Sequence, residues 1–190
     1  MARWWLVGVV LVIFSSPQDT RQTPERVLLD KATLRTDDGD TLDIVTASGT
    51  ETVRILGIDT PEVLHLDHNI PYAQPFGDMA HGFFRGALAL ASKVELLRSG
   101  QKDPFGRTLG YVFLDNVNYS VLVLRAGLAA ESVTRYGDNG LAAEAAECLA
   151  AAKDVSVLPF ELPETYRKRM RKVSEDLKAR GLYPSTGGKH

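Results

Sequence analysis

Asp38 and Asp40 stand either side of a glycine in "TDDGDT", and Arg54, Asp59 and Glu62 follow in "VRILGIDTPE" at Val53 to Glu62. Hard divalent ions such as Ca²⁺ take several oxygen ligands, and carboxylates from two chain segments can supply them with a backbone carbonyl and water. Taken alone, "DDGD" also suits a solvated turn, because Asp and Gly are ordinary turn residues. Arg54, and Arg107 in "DPFGRTLGY" at Asp103 to Tyr111, change the balance. A phosphodiester transition state gathers charge on equatorial oxygens, and bidentate guanidinium groups match that geometry. A lone strand arginine reads as surface charge, but two arginines, a metal and a carboxylate suffice for phosphoryl hydrolysis.

These groups must be brought together by the elements that carry them. "KATLRTDDGDTLDIV" gives two alternating runs around an Asp38-Gly39 turn, and "TVRILGI" a third strand after the "TASGTET" turn. Period-2 alternation sets Arg54 and Asp59 on opposite faces of a straight strand, so the strand must bend between them. Gly57 is the candidate bulge, and Pro61 biases Thr60 to an extended conformation.

Val63 to Pro75 reads as a long surface loop whose His65 and His68 are ordinary surface histidines rather than a metal pair. "GDMAHGFFRGALALASK" predicts a helix with an apolar stripe through Met79, Phe83, Ala87 and Leu90, and His81 as a structural residue. "KVELL" and "RTLGYVFLDNVNYS" return to strands, with Asp115-Asn116 at a hairpin turn. "NYSVLVLRAG" is a second helix, capped by Asn118 and stopped at Gly127. "GLAAEAAECLAAAK" is a third, with Cys148 as a small core residue. The result is an α+β, mainly β domain: a small barrel of five strands with three helices.

The chain has 190 residues and is 44% hydrophobic, which predicts one core that buries roughly two-thirds of its unfolded surface. A single cysteine excludes an intrachain disulfide and any cysteine-rich zinc site. A formal charge of -2 gives no global pull on polyanions, so attraction to nucleic acid must come from a local patch. Arg3 followed by the apolar run Trp4 to Phe14 is the layout of an export signal or an uncleaved signal anchor, a buried strand being the competing reading. The run is about half the ~20 residues that span a bilayer. The expected organisation is a signal segment at 1-16, a linker at 17-26, a domain at 27-155 and a basic tail at 156-190. That tail is expected to be partly helical or disordered. Its "YRKRMRK" run, at Tyr166 to Lys172, reads as solvated charge without a catalytic role.

The ordered motifs "DGDT", "VRILGIDTPE" and "DPFGRTLGY", with "GLA" at Gly127 to Ala129, resemble the staphylococcal nuclease (thermonuclease) family from about Ala32 to Lys153. The resemblance implies a five-stranded OB-fold barrel with three helices that hydrolyses DNA and RNA, single strands preferred, using Ca²⁺. It implies that Asp40 and Asp59 bind the ion by carboxylate and Thr60 by its carbonyl, with Asp38 supporting the water shell. Arg54 and Arg107 would hold the scissile phosphate, and Glu62 would orient or deprotonate the attacking water, leaving 3′-phosphate ends. Phe105 and Tyr136 would stack on the substrate, Phe105 standing where a tyrosine is common in the family. The expected protein is a monomer, secreted or tethered to a membrane and facing outside the cytoplasm. The competing reading is a non-catalytic OB-fold module that binds single strands or a protein. Such a module has no need of Asp40, Arg54, Asp59, Glu62 and Arg107 together.

Overall fold

The structure is a computed structural model, and it describes residues 25–155 and 157–184; the N-terminal export segment lies outside the described residues. Short alternating runs pair as their patterns demand. β2 (Leu34–Thr36) lies antiparallel to β3 (Thr41–Thr46), with Leu34 opposite Ile44 and Thr36 opposite Leu42. β3 pairs in turn with β4 (Gly49–Ile55), which sets Thr41 opposite Arg54 and Leu42 opposite Val53. Leu42, Val53 and Ile55 are buried, so one face of this meander is core and the other is free for polar groups.

β4 then pairs parallel with β7 (Thr108–Leu114), itself antiparallel to β6 (Val94–Lys102). A register shift between Arg98 and Lys102 helps the sheet to curl. β1 (Arg26–Leu28) joins the outer edge of β6, and β8 (Val117–Asn118) folds back on β7. The Asp115-Asn116 turn before β8 has both residues at positive φ, the geometry that two-residue hairpins prefer. The class is α+β and mainly β, as the pattern predicts, with additional short strands around the expected five.

At Leu56-Gly57 the chain leaves the main sheet. β5 (Ile58–Asp59) turns away to pair with β9 (Ala130–Glu131), setting Asp59 opposite Ala130. Gly57 has φ of 81°, and a Cβ there would lie 2.6 Å from the buried sulfur of Cys148. Only glycine meets both conditions without strain. This is the bend that the parity of Arg54 and Asp59 requires. The carbonyls at the bend are taken up by buried hydroxyls: Ser120 Oγ donates to Leu56 O at 2.7 Å and Ser132 Oγ to Ile58 O at 3.2 Å.

The helices close the core over this sheet. α1 (Gly77–Leu90) buries Ala80, Phe84 and Leu88, whereas Met79 and Leu90 are 57% and 87% exposed. The buried stripe is therefore offset by one residue from the Met79-Phe83-Ala87-Leu90 reading. Apolar residues occupy both stripes, and the choice falls to packing: Phe84 stacks on Tyr119 with ring centroids 4.2 Å apart. α2 (Tyr119–Arg125) starts at Asn118, whose side chain accepts from Ser120 N, and gives way to Gly127 at positive φ. α3 (Val133–Tyr136) is a single turn, and α4 (Ala142–Lys153) buries Ala145, Cys148 and Ala151.

Past the expected domain end, α5 (Pro163–Ala179) is a helix with Pro at its first turn. Tyr166, Met170 and Ser174 recur one helical turn apart and are buried, the first two against Ile70. Tyr166 Oη donates to Tyr72 O at 2.9 Å, and Ser174 Oγ to Asn69 Oδ1 at 3.1 Å. α5 thus straps the 63–75 loop, which carries a 3-10 turn at Leu66–His68 and a β-bridge between His65 and Ile70. Among the described residues, no helix is long and apolar enough to cross a membrane.

Candidate active site

Three segments deliver the polar residues to one place. The 37–40 turn is organised by Asp38, whose Oδ1 accepts Asp40 N at 2.9 Å, and is pinned by Tyr119 Oη donating to Gly39 O at 2.8 Å. Asp40 Oδ2 then accepts Thr60 N at 2.8 Å, which joins this turn to the segment after the bend. The approach is close: a Cβ on Gly39 would stand 2.9 Å from the Thr60 side chain.

Arg54 bridges the two segments. Its Nη1 pairs with Asp40 Oδ1, and its Nη2 donates to Asp59 Oδ1 at 3.0 Å and Ile58 O at 3.1 Å. The bend therefore allows Arg54 and Asp59 to meet, and one guanidinium spans both carboxylates. Burial opposes the charge on Arg54, but Asp40, Asp59 and Asp38 outweigh it and hold the guanidinium firmly protonated. Asp38 is under the opposite pressure. Burial, and then the neighbouring Asp40 charge, push its carboxyl up to about 7 against the pull of Arg54.

Glu62 is fixed through its backbone. The buried Gln74 donates its N–H to Glu62 O at 2.8 Å and accepts Glu62 N on Oε1 at 3.1 Å. Gln74 Nε2 donates in turn to Glu161 O at 2.7 Å, just before α5. Burial raises the Glu62 carboxyl above its ordinary range, while Arg167 draws it back.

Arg167 is the residue that sequence reasoning missed. From α5 it donates Nη1 to Asp59 Oδ1 at 3.0 Å and Nη2 to Asp59 Oδ2 at 2.9 Å, a bidentate grip, and Nη1 also to Glu62 Oε1 at 2.5 Å. The "YRKRMRK" run is thus not uniformly solvated. The usable signal was Tyr166 and Met170 inside it, continued by Ser174 beyond it at helical spacing, which buries one side of the helix and turns its neighbour Arg167 toward the acids. Gln74 carried no comparable signal.

Arg107 behaves differently. It lies two residues before Leu109, the register partner of Arg54, and so shares that sheet face. Its guanidinium pairs with Asp103, Nε to Oδ2 at 2.7 Å, and Asp103 Oδ1 also accepts Arg107 N. No hydrogen bond joins Arg107 to Asp40, Asp59 or Glu62 among the described residues. Phe105 and Tyr136 are 84% and 57% exposed, each near an arginine: Arg107 5.7 Å from the Phe105 ring, Arg135 5.3 Å from Tyr136. The histidines stack with centroids 3.8 Å apart, and His65 Nε2 lies 3.2 Å from Asp37 Oδ2, which gives them a structural contact.

The donor set can be tested against a divalent ion. Among the described residues, no three Asp, Glu, His or Cys side chains converge closely enough to hold a metal unaided. Asp40 and Asp59 do converge, since one guanidinium reaches both. All their donors are hard oxygens, and Asp38, with its raised carboxyl, marks a surplus of buried negative charge. This set fits a hard ion that keeps several waters, and does not suit one that demands nitrogen or sulfur.

A family model described as "Staphylococcal nuclease homologue" matches residues 52–156, more than half of the chain. The chain belongs to that family. It is 39% identical over 93 residues to a thermonuclease of Staphylococcus intermedius, covering 48% of this chain and 53% of the relative. It is 36% identical over 97 residues to the Staphylococcus hyicus thermonuclease, covering 50% and 55%. It is 32% identical over 105 residues to the endonuclease YncB of Bacillus subtilis, covering 54% and 46%. The chain spans about half the length of the curated relatives it matches. The family match contains Arg54, Asp59, Thr60, Glu62 and Arg107; the Asp38-Asp40 turn and α5 lie outside it.

Proposed function

We propose that this chain is a metal-dependent nuclease that hydrolyses phosphodiester bonds in DNA and RNA, with Ca²⁺ as the ion and 3′-phosphate ends as the product. One observation carries the reading: Arg54 spans Asp40 and Asp59 across the Gly57 bend, with Glu62 a few residues on, so a cation site, a phosphate-binding guanidinium and a carboxylate base share one surface. The thermonuclease and endonuclease relatives support the nuclease part of this reading.

Asp40, Asp59 and the Thr60 carbonyl would hold the ion, and Asp38 would order its water. A divalent ion held by these oxygens would supply Lewis-acid polarisation of a phosphoryl oxygen. Arg54 is pre-aimed by its strand register and donates to the phosphate oxygens that gain charge as a water attacks. Glu62, its backbone clamped by Gln74, orients that water and takes its proton. Arg107 reaches the phosphate by leaving Asp103, on the face it shares with Arg54. Phe105 and Tyr136 offer exposed faces on which unpaired bases stack, which favours single strands. The Trp4 to Phe14 run supports a secreted or membrane-tethered protein facing outside the cytoplasm.

The test is digestion of single-stranded DNA with CaCl₂ and then with chelator, with end-group analysis of the products. Metal-dependent cutting that leaves 3′ phosphates supports the proposal. Cutting that persists in chelator removes the metal, and no cutting by the parent chain removes the nuclease.

A further inference from the structure

Arg54 and Arg167 both contact Asp59, but they are held very differently. Arg54 sits in the middle of three paired strands, with its backbone opposite Thr41 and Leu109 and its side chain 17% exposed. Arg167 comes from a helix that rests on a small apolar contact of Ile70, Tyr166 and Met170, and its side chain is 30% exposed. Of the two, Arg167 is the more exposed, and its element is held by fewer backbone pairings. Among its neighbours on α5, Lys168 pairs with Glu164 and Arg169 with Glu161, whereas Arg167 turns into the acidic cluster.

The grip on Asp59 matters because it uses both carboxylate oxygens and adds Glu62. A divalent cation at Asp59 would face a positive charge in direct contact with its ligand, and would find lone pairs of that ligand already taken. We infer that Arg167 is an affinity-determining residue of the cation site: it is the resident counter-ion of Asp59 and Glu62, and its release from Asp59 opposes divalent-cation binding to docking of α5. By linkage the opposition is reciprocal, so the cation weakens docking by the factor with which docking weakens the cation. The inference rests on the metal-dependent reading above.

The full chain and the variants R167Q, R167K and K172Q are titrated with CaCl₂ by calorimetry, and hydrogen exchange of the α5 amides is followed with and without Ca²⁺. Lys172 is an exposed cation of the same helix, so K172Q removes equal charge away from the cluster. R167Q is expected to bind Ca²⁺ about tenfold or more tightly, with R167K in between and K172Q within about twofold of the parent. Ca²⁺ should speed exchange in α5 of the parent chain. If R167Q does not fold, the parent exchange experiment decides alone. Unchanged or weaker Ca²⁺ binding by R167Q, or α5 protection that rises with Ca²⁺, overturns the inference and makes Arg167 a brace for Asp59. A parent chain that binds no Ca²⁺ overturns the metal reading and this inference with it.

Discussion

β4 carries two polar networks, three residues apart, and they are built on opposite principles. At its outer end Glu51 takes Arg98 in a bidentate pair, at 2.9 and 2.6 Å, and accepts Thr108 Oγ1 at 2.9 Å. One acid meets one base, and Arg98 holds the Glu51 carboxyl below its ordinary range. At its inner end, Arg54 and Arg167 face Asp38, Asp40, Asp59 and Glu62. The first network is closed; the second keeps a surplus of negative charge and a carboxyl pushed to about 7. A concavity of about 450 Å³ is lined by Glu51, Arg98, Lys102 and Thr108 and belongs to the closed network. A concavity of that size therefore forms at the end of the strand where charge is already balanced. What distinguishes a site able to recruit a cation and a phosphate is unfinished charge compensation.

If that contrast is right, Arg54→Ala should have the largest effect. It removes the donor aimed at the developing charge, which costs about 10²–10³ in single-turnover cleavage. It also leaves Asp40 and Asp59 facing each other, at about 3 kcal/mol of stability in denaturant unfolding. A variant as active as the parent would break the contrast outright. Glu62→Gln should lower cleavage by about 10² while leaving stability within about 1 kcal/mol, because it removes a base from a region already rich in negative charge.

The pH dependence of metal-free stability separates the two networks further. Asp38 is neutral in the native state up to about pH 7, whereas its unfolded value is 3.8. Between those values the native state holds a proton that the unfolded state has lost, so stability falls as pH rises through the window and levels off above it. Asp38→Asn should abolish that fall and gain up to about 4 kcal/mol at pH 8 relative to the parent, read from urea unfolding. An identical pH profile for the two proteins would show that Arg54 already neutralises the turn. The smallest effect should come from Glu51→Gln. Its pair is about a third exposed, so it contributes under ~1 kcal/mol, and cleavage should stay within about twofold.

Much of this was legible in the sequence because it is local. The motifs hold Asp40, Arg54, Asp59 and Glu62 in order, and alternation alone demanded a break at Gly57. Asn118 announces its helix by chemistry that acts within two residues. Where residues decide their partners over long distances, the sequence was mute or misleading. On α1 either apolar stripe could have packed, and the stacking of Phe84 on Tyr119 selects one. Within 166–172 the positive charge hid a buried stripe. Arg107 finds Asp103 four residues back, a local competitor that a search for converging motifs does not consider.

Arg167 and Asp59 are 108 residues apart, and Gln74 reaches Glu161 over 87. Synthesis runs from the N-terminus, so the strands and both aspartates leave the ribosome well before the residues that grip Asp59 and brace Gln74. For that interval Asp59 and Glu62 have no counter-charge from α5. A chain shortened at the end of the family match would stay in that half-built condition permanently, with its sheet whole and its acidic cluster missing one wall.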